Sequence, residues 1–171
     1  MTKQLSTDRL IIRRFSPADL DDFCAYQADP RVRKHLPGEP MDVGQVAQYL
    51  AAQAVLDEGQ LEAWHGYAVE LVETGTVIGD VGVYRVSAAE GDVGFQFHPG
   101  FHHQGYGREA TTAFLAYLFE DLGLERVTAG CDQANEASRT LLVSLGLRPQ
   151  SPSADGSCHF ELSRDEWLGQ R

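Results

Sequence analysis

Gln104-Gly105-Tyr106-Gly107-Arg108-Glu109-Ala110 is the stretch that decides how this sequence is interpreted. Two glycines, one residue apart, open a segment with the period of an amphipathic helix, shortly after a strand-like run. A helix start leaves backbone N–H groups without partners and carries the positive end of the helix dipole. Glycines let an anion approach those groups closely. The stretch therefore predicts a phosphate-binding turn.

The segments around this turn predict a single domain, residues 1–171, of the mixed α/β (α+β) class. Alternating or β-branched runs predict strands, and apolar residues at helical spacing behind capping residues predict helices. Strands are predicted at 8–14, 64–72, 77–86, 92–98, 126–131 and 157–162, and helices at 16–26, 42–56, 105–123 and 135–145. No repeat, linker or low-complexity tract divides the chain, so we expect one layered sheet-and-helix domain.

Composition restricts the classes of function. The chain has 14 basic and 25 acidic residues and a formal charge of −11, which disfavours a nucleic-acid partner and requires a phosphate site to use local donors. The three cysteines lack a CxxC spacing, so neither a disulfide framework nor a zinc site is predicted. The N-terminus lacks an apolar signal core and no run approaches the ~20 apolar residues of a membrane span. We therefore expect a cytoplasmic protein with no membrane partner.

Two nucleotide-binding motifs compete for the glycine turn. A P-loop needs four residues between its glycines and a following lysine, and neither is present. The spacing Gly105-x-Gly107-x-x-Ala110 does match the dinucleotide fingerprint, and Asp132 lies near the expected distance downstream. That fingerprint belongs directly after a strand at the start of a βαβαβ unit, whereas Pro99–Gln104 intervene here and too little chain follows. An NAD(P)-dependent oxidoreductase remains an alternative.

The second half of the chain resembles the GNAT superfamily of acyl-CoA-dependent N-acetyltransferases. The resemblance is carried by the strand 92–98, the glycine turn, a helix, the strand 126–131 and then Asn135-x-x-Ser138. It implies the GNAT acyl-CoA N-acyltransferase fold, a central mixed and mostly antiparallel sheet flanked by helices. It also implies that the strands 92–98 and 126–131 splay apart at the CoA site.

The N-terminal half resembles the RimJ/RimL type within that superfamily, the ribosomal-protein-serine/alanine acetyltransferases. Thr7-Asp8-Arg9-Leu10-Ile11-Ile12-Arg13 is similar to its N-terminal pattern, and Val77-Ile78-Gly79-Asp80-Val81-Gly82 is similar to its I-G-x-x-G strand. The resemblance covers about Thr7 to Trp167. It implies transfer of an acetyl group from acetyl-CoA to a primary amine by direct attack in a ternary complex. The implied acceptor is a small molecule or a protein N-terminus.

The sequence departs from the family in two places. His102 stands where the family's Q/R-x-x-G-x-G/A pattern begins with Gln or Arg, but only backbone donors are needed there. The tyrosine that many GNAT enzymes use to protonate the leaving thiolate is missing from the stretch 140–144. A CoA-binding module without turnover is therefore an alternative to the enzyme.

The resemblance assigns candidate residues to each part of the site. The implied CoA-binding residues are Phe95, Phe97, His102, His103, Gln104, Gly105, Tyr106, Gly107, Arg108, Asn135 and Ser138. Ser138 is also the candidate acid for the thiolate, and Glu70 and Asp92 are candidate acceptors of the amine proton. The basic residues Arg31, Arg33 and His35 are candidates for binding the acceptor.

No metal is expected, because the histidines near the turn lack partners at ligand spacing. Dimers are frequent in families of this kind, so a homodimer is a further expectation.

Overall fold

The computed structural model describes residues 4–150 and 156–170, which form an eight-stranded sheet with flanking helices. The strands are β1 (Leu5–Ser6), β2 (Leu10–Arg14), β3 (Trp64–Leu71), β4 (Val77–Arg85), β5 (Glu90–Phe97), β6 (Arg126–Asp132), β7 (Arg148–Pro149) and β8 (Ser157–Ser163). The helices are α1 (Leu20–Gln27), α2 (Pro30–Arg33), α3 (Val43–Val55), α4 (Tyr106–Ala116), α5 (Glu136–Ser144) and α6 (Arg164–Gly169). A π-helical turn, Tyr117–Asp121, extends α4.

The sheet is mixed and mostly antiparallel, as the GNAT resemblance implied. Its strand order is β1-β2-β3-β4-β5-β6-β8-β7, and every neighbouring pair is antiparallel except β5 and β6. A dinucleotide fold requires a doubly wound parallel sheet with the glycine turn at the end of its first strand. The oxidoreductase alternative therefore lacks its architecture, because α4 follows the fifth strand of an antiparallel meander.

The capping residues explain where the predicted helices begin. Asp42 accepts from the Gln45 backbone N–H at 2.9 Å, and Gln45 Oε1 accepts from the Asp42 N–H, which completes a capping box ahead of α3. Four short elements were not predicted: β1, β7, α2 and α6. They have two to six residues each, which is too few for a hydrophobic period to be visible.

The two faces of the sheet have separate cores. On one face α4 covers a large cluster that includes Val93, Phe97 and Phe114. On the other face α1 and α3 cover a smaller aromatic cluster that includes Phe23 and Tyr26. Successive side chains of a strand point to opposite faces, so β5 presents its odd residues to α4 and its even residues to α1 and α3.

The parallel strands β5 and β6 separate halfway along their length. Their register runs only from Glu90 opposite Arg126 to Val93 opposite Ala129. Both strands continue beyond this point, to Phe97 and Asp132, without pairing. We call the opening between residues 94–97 and 130–132 the strand gap. It confirms the splay that the family resemblance implied.

Candidate functional site

The glycine turn presents a run of unpaired backbone N–H groups. Within the described part of the chain, none of the N–H groups of residues 103–108 donates to a protein acceptor, and the first helical bond runs from the Glu109 N–H to the Gly105 carbonyl. His103 (φ 60°) and Gly105 (φ 83°) both adopt left-handed backbone conformations, which turn successive N–H groups toward one side. We call residues 103–108 the anion cradle. Its donors and the start of α4 favour a phosphate-sized anion.

Residues from the turn between β1 and β2 support the anion cradle. Glu109 Oε1 accepts from the Thr7 hydroxyl at 2.6 Å and from the Arg9 N–H at 3.1 Å. Arg9 Nε donates to Glu109 Oε2 at 2.7 Å, its Nη1 donates to the Gln104 carbonyl at 3.0 Å, and its guanidinium lies 4.3 Å from the centre of the Tyr106 ring. Burial raises the pKa of Glu109, but the bonds from Thr7 and Arg9 outweigh it and the net pKa is lowered.

Sequence reasoning missed Arg9 and Glu109 as site residues. The Thr7-x-Arg9-Leu10 motif was the sequence signal that could have identified them. In the structure this motif contacts the cradle through the bonds of Thr7 and Arg9 to Glu109. Arg9 is a cation held beside the cradle. Its Nη2 lies 3.4 Å from the position that a Cβ atom on residue 105 would occupy. Arg108 is exposed in the first turn of α4, so it is a second cation on this edge.

The start of α5 lies across from α4. Asn135 is the N-cap of α5, and its Oδ1 accepts from the Ser138 N–H at 3.1 Å. The Ser138 hydroxyl is half-buried and forms no hydrogen bond among the described residues, so it remains available to a ligand. Leu141 lies against Gly107, since a side chain placed on that glycine would meet Leu141 at 3.4 Å.

The backbone of β5 faces the strand gap at its odd positions. The His98 N–H donates to the Ile78 carbonyl at 2.8 Å, so even positions of β5 bond to β4 and odd positions point toward β6. The N–H and C=O groups of Phe95 and Phe97 therefore face the gap. His102 Nε2 contacts the Phe97 carbonyl at 2.8 Å, which leaves the Phe97 N–H as a donor facing the gap.

The two carboxylates predicted to accept a proton have other partners. Glu70 Oε2 accepts from Arg13 Nε at 2.6 Å, on the β2 side of the sheet and two strands from β5. Asp92 Oδ1 accepts from the Thr128 hydroxyl at 2.7 Å, in the half where β5 and β6 still pair. Asp92 is thus near the beginning of the strand gap, whereas Glu70 is not beside it.

A third carboxylate, Asp80, was not singled out from the sequence. It lies on β4 opposite Gln96 and is only 4% exposed. Its Oδ2 accepts from the Tyr26 hydroxyl and from Gln96 Nε2, each at 2.8 Å. Burial raises the pKa of Asp80 to about 7, although both hydrogen bonds lower it. A group with such a pKa exchanges protons readily near neutral pH.

Most of the basic residues named in the segment between α1 and α3 form contacts with neighbouring protein groups. Arg31 forms an ion pair with Asp29 at 2.8 Å, and hydrogen bonds from Arg31 lower the pKa of Asp29 to about 2. Arg33 Nη2 donates to the carbonyls of Pro37 and Gly38, each at 2.7 Å. His35 Nδ1 lies 4.0 Å from Asp132 Oδ2, so this segment reaches the β6 side of the strand gap.

The structure therefore brings most of the predicted residues to one region. The cradle residues, Phe95, Phe97, Asn135 and Ser138 border the strand gap or lie on the helices that follow its strands. Residues 4–150 and 156–170 contain no group of three or more His, Cys, Asp or Glu placed to hold a metal ion. None of the helices in these ranges combines the length and apolar character that a membrane crossing needs.

Comparison with known sequences agrees with the fold that the structure shows. Residues 9–148 match the family described as the acetyltransferase (GNAT) domain. The uncharacterized N-acetyltransferase p20 of Bacillus licheniformis is 30% identical over 152 residues, which cover 85% of this chain and 83% of p20.

Comparison with solved structures supports the same fold. A GNAT-family acetyltransferase from Bacillus anthracis superposes with a TM-score of 0.82 at 20% identity, covering 95% of this chain and 99% of that one. A candidate ribosomal-protein-serine acetyltransferase from Vibrio cholerae superposes with a TM-score of 0.77 at 21% identity, covering 94% and 97%. At these identities the likeness concerns the fold alone.

Proposed function

Since the chain belongs to the GNAT acetyltransferase family and is an acetyl-transferring enzyme, we propose that it moves the acetyl group of acetyl-CoA to a primary amine. The observation that carries the proposal is that the anion cradle adjoins the strand gap, since a Cβ on Gly107 would lie 3.6 Å from the Phe97 ring. The cradle fits the pyrophosphate of CoA, and the open backbone edge of β5 fits the amide-bearing arm.

The proposed CoA contacts follow from the donors that remain free. The N–H groups of residues 103–108 hold the pyrophosphate, with Arg9 and Arg108 supplying positive charge against the chain's net charge of −11. The backbone groups of Phe95 pair with the pantetheine amides as a neighbouring strand would. Asn135 Oδ1 already caps α5, so its side-chain NH₂ group is the part that remains for the arm.

Acetyl-CoA supplies a thioester whose carbonyl carbon an uncharged amine attacks directly. The Phe97 N–H stabilises the negative charge that develops on the carbonyl oxygen. Asp80, in place of Glu70, takes the proton of the incoming ammonium through a water molecule, because its raised pKa matches neutral pH. The Ser138 hydroxyl protonates the departing thiolate.

The acceptor is proposed to be recognised through its amino group. Arg31 is paired with Asp29, and Arg33 is bonded to carbonyls, so these contacts speak against Arg31 and Arg33 as residues that bind the acceptor. A protein N-terminus, as in the RimJ/RimL type, and a small-molecule amine both meet this requirement. A homodimer also remains a prediction, which light scattering of the purified protein would check.

Thiol release from acetyl-CoA tests the proposed function. The acceptor panel is spermidine, kanamycin and a peptide with a free N-terminal alanine, and acetylated products are identified by mass spectrometry. We expect CoA release that depends on at least one of these amines. Binding of acetyl-CoA without transfer to any amine would refute the proposal and favour a CoA-binding module.

A further inference from the structure

The side chain of Gln96 lies in the unpaired half of β5, on the sheet face that α1 and α3 cover. Its strand has separated from β6 by residue 94, so no neighbouring strand covers Gln96 from that side. Its partner on β4 is Asp80, and the Gln96 side chain is half-buried. On the same face, Gly94 lies under the ring of Trp64, with 3.0 Å between that ring and the position of a Gly94 Cβ. Gln96 and Trp64 thus border the same part of the gap.

The contact with Asp80 determines which end of the Gln96 amide is free. In the ionised form that takes up a proton, Asp80 can only accept hydrogen bonds, so the Gln96 amide turns its NH₂ group toward it. The 2.8 Å contact between Gln96 Nε2 and Asp80 Oδ2 has this orientation. The Tyr26 hydroxyl donates to the same oxygen and stays protonated, because burial raises its pKa well above the usual value. Tyr49 is also held in its protonated form by burial, which raises its pKa.

The free end is the carbonyl oxygen, Oε1, which accepts no hydrogen bond from any residue within 4–150 and 156–170. Gln96 Oε1 is not enclosed by protein atoms, so solvent or a ligand can reach it. Two donors on this face have other acceptors: Tyr26 donates to Asp80, and Trp64 Nε1 donates to the Tyr49 hydroxyl at 3.2 Å. Oε1 is therefore available to accept a hydrogen bond from a bound molecule.

We propose that Gln96 Oε1 holds the attacking nitrogen of the acceptor and makes the site selective for amines over hydroxyl compounds. This inference rests on the proposed function and identifies the residue that recognises the amino group of the acceptor. Asp80 is the positioning residue, since it fixes the direction in which the Gln96 amide points.

The selectivity follows from the count of hydrogens on the acceptor. A primary ammonium that gives one proton toward Asp80 still has two N–H groups, and one of them can donate to Gln96 Oε1 while the lone pair attacks. A hydroxyl group that gives its proton toward Asp80 has none left, so Oε1 would remain unpaired. The cost of that unpaired oxygen corresponds to a discrimination of about tenfold or more.

The test compares Gln96→Leu with Gln48→Leu, an equivalent change at an exposed position of α3. The probes are the amine of the panel that the enzyme acetylates and its analogue with a hydroxyl in place of the amino group, measured as a competitive inhibitor. For the peptide probe this analogue begins with lactic acid. We expect Gln96→Leu to raise the amine KM about tenfold, with unchanged acetyl-CoA affinity and an unchanged inhibition constant for the hydroxyl analogue.

A second variant tests the contact with Asp80. Gln96→Glu places two carboxyl groups side by side, which disfavours ionisation of both. The pH dependence of kcat should then move to higher pH by about one unit or more. An unmoved profile would overturn the placement of Gln96 beside the proton-accepting carboxylate, whereas the contact with the acceptor is tested by the Gln96→Leu comparison.

The outcomes separate the inference from the proposed function. If wild type acetylates an amine and Gln96→Leu loses affinity for the amine and the hydroxyl analogue equally, or behaves like Gln48→Leu, the assignment of Gln96 is wrong and the proposed function stands. If wild type acetylates no amine in the panel, both are overturned.

Discussion

Asp80→Asn is expected to stabilise the protein while it lowers kcat. Asparagine has nearly the same shape as aspartate, and its Oδ1 can accept the bonds from Tyr26 and Gln96 that now go to Asp80 Oδ2. The substitution removes only the charge and the titration. Because Asp80 is 4% exposed, ionising it in the folded state has a high cost.

The size of the effect follows from the shift in pKa. The pKa of Asp80 rises from 3.8 to about 7, and each unit corresponds to 1.36 kcal/mol, so the full difference is about 4 kcal/mol. The folded state binds the proton more tightly than the unfolded state, so wild-type stability is highest below the unfolded pKa and falls as pH rises through about 7. The free energy of unfolding of Asp80→Asn should not show this decrease with pH.

Urea unfolding of both proteins at several pH values, followed by tryptophan fluorescence, measures the difference. Between pH 5.5 and 8 the advantage of Asp80→Asn should grow by about 2 kcal/mol, and it should level off at higher pH. The other titrating groups are the same in both proteins, so their contributions cancel in the difference between the two free energies of unfolding. A stability difference that does not change with pH would contradict the raised pKa.

The same variant tests the catalytic role. General base catalysis contributes about 10²–10⁴-fold, so kcat should fall by that factor while acetyl-CoA affinity is retained. Asp92→Asn and Glu70→Gln serve as comparisons and should have much smaller effects on kcat. A large loss in either of them, with Asp80→Asn still active, would assign the base elsewhere.

Three further predictions concern the CoA site. Gly105→Asp should weaken CoA binding by about 100-fold or more relative to Gly105→Asn, because both bear the cost of φ 83° but only aspartate opposes the pyrophosphate; equal affinities by calorimetry would refute the cradle. Arg9→Ala should weaken CoA binding about tenfold and reduce its salt dependence, and Arg9→Lys should not restore it, because the contacts of Arg9 with Glu109 and Gln104 need a guanidinium; full rescue by lysine would mean that charge alone matters. Ser138→Ala should lower kcat more than it raises the CoA dissociation constant, since its hydroxyl forms no hydrogen bond within residues 4–150 and 156–170; unaltered acetyl transfer would show that the thiolate proton comes from another donor.

The sequence predicted well those features that depend on local patterns. Alternation and capping residues located the long strands and helices to within a few residues, for example β6 and the capping box of Asp42 and Gln45. The glycine turn was recognisable because its backbone conformation requires particular residues, such as Gly105 at φ 83°. The elements with two to six residues escaped because each is shorter than two hydrophobic periods, so no repeat of the pattern is visible.

The roles of the carboxylates could not be read in the same way. Glu70 and Asp80 are both acidic residues in β-rich runs, and nothing in the sequence around them shows which one is buried. Arg13 comes from β2 to pair with Glu70, whereas Tyr26 comes from α1 to contact Asp80. A pKa depends on burial and on neighbours in space, so only the packed fold decides it.

The amino-acid sequence by itself determined the family resemblance, the anion cradle and the order of strands and helices, because these follow from residue types at fixed local spacing. The tertiary structure decided where β5 and β6 separate, which residues support the cradle and which carboxylate titrates near neutral pH. Those features arise from contacts between residues such as Arg9 and Glu109, which are 100 positions apart in the chain. Distances between such residues are set by packing of the whole sheet, and no local pattern records them.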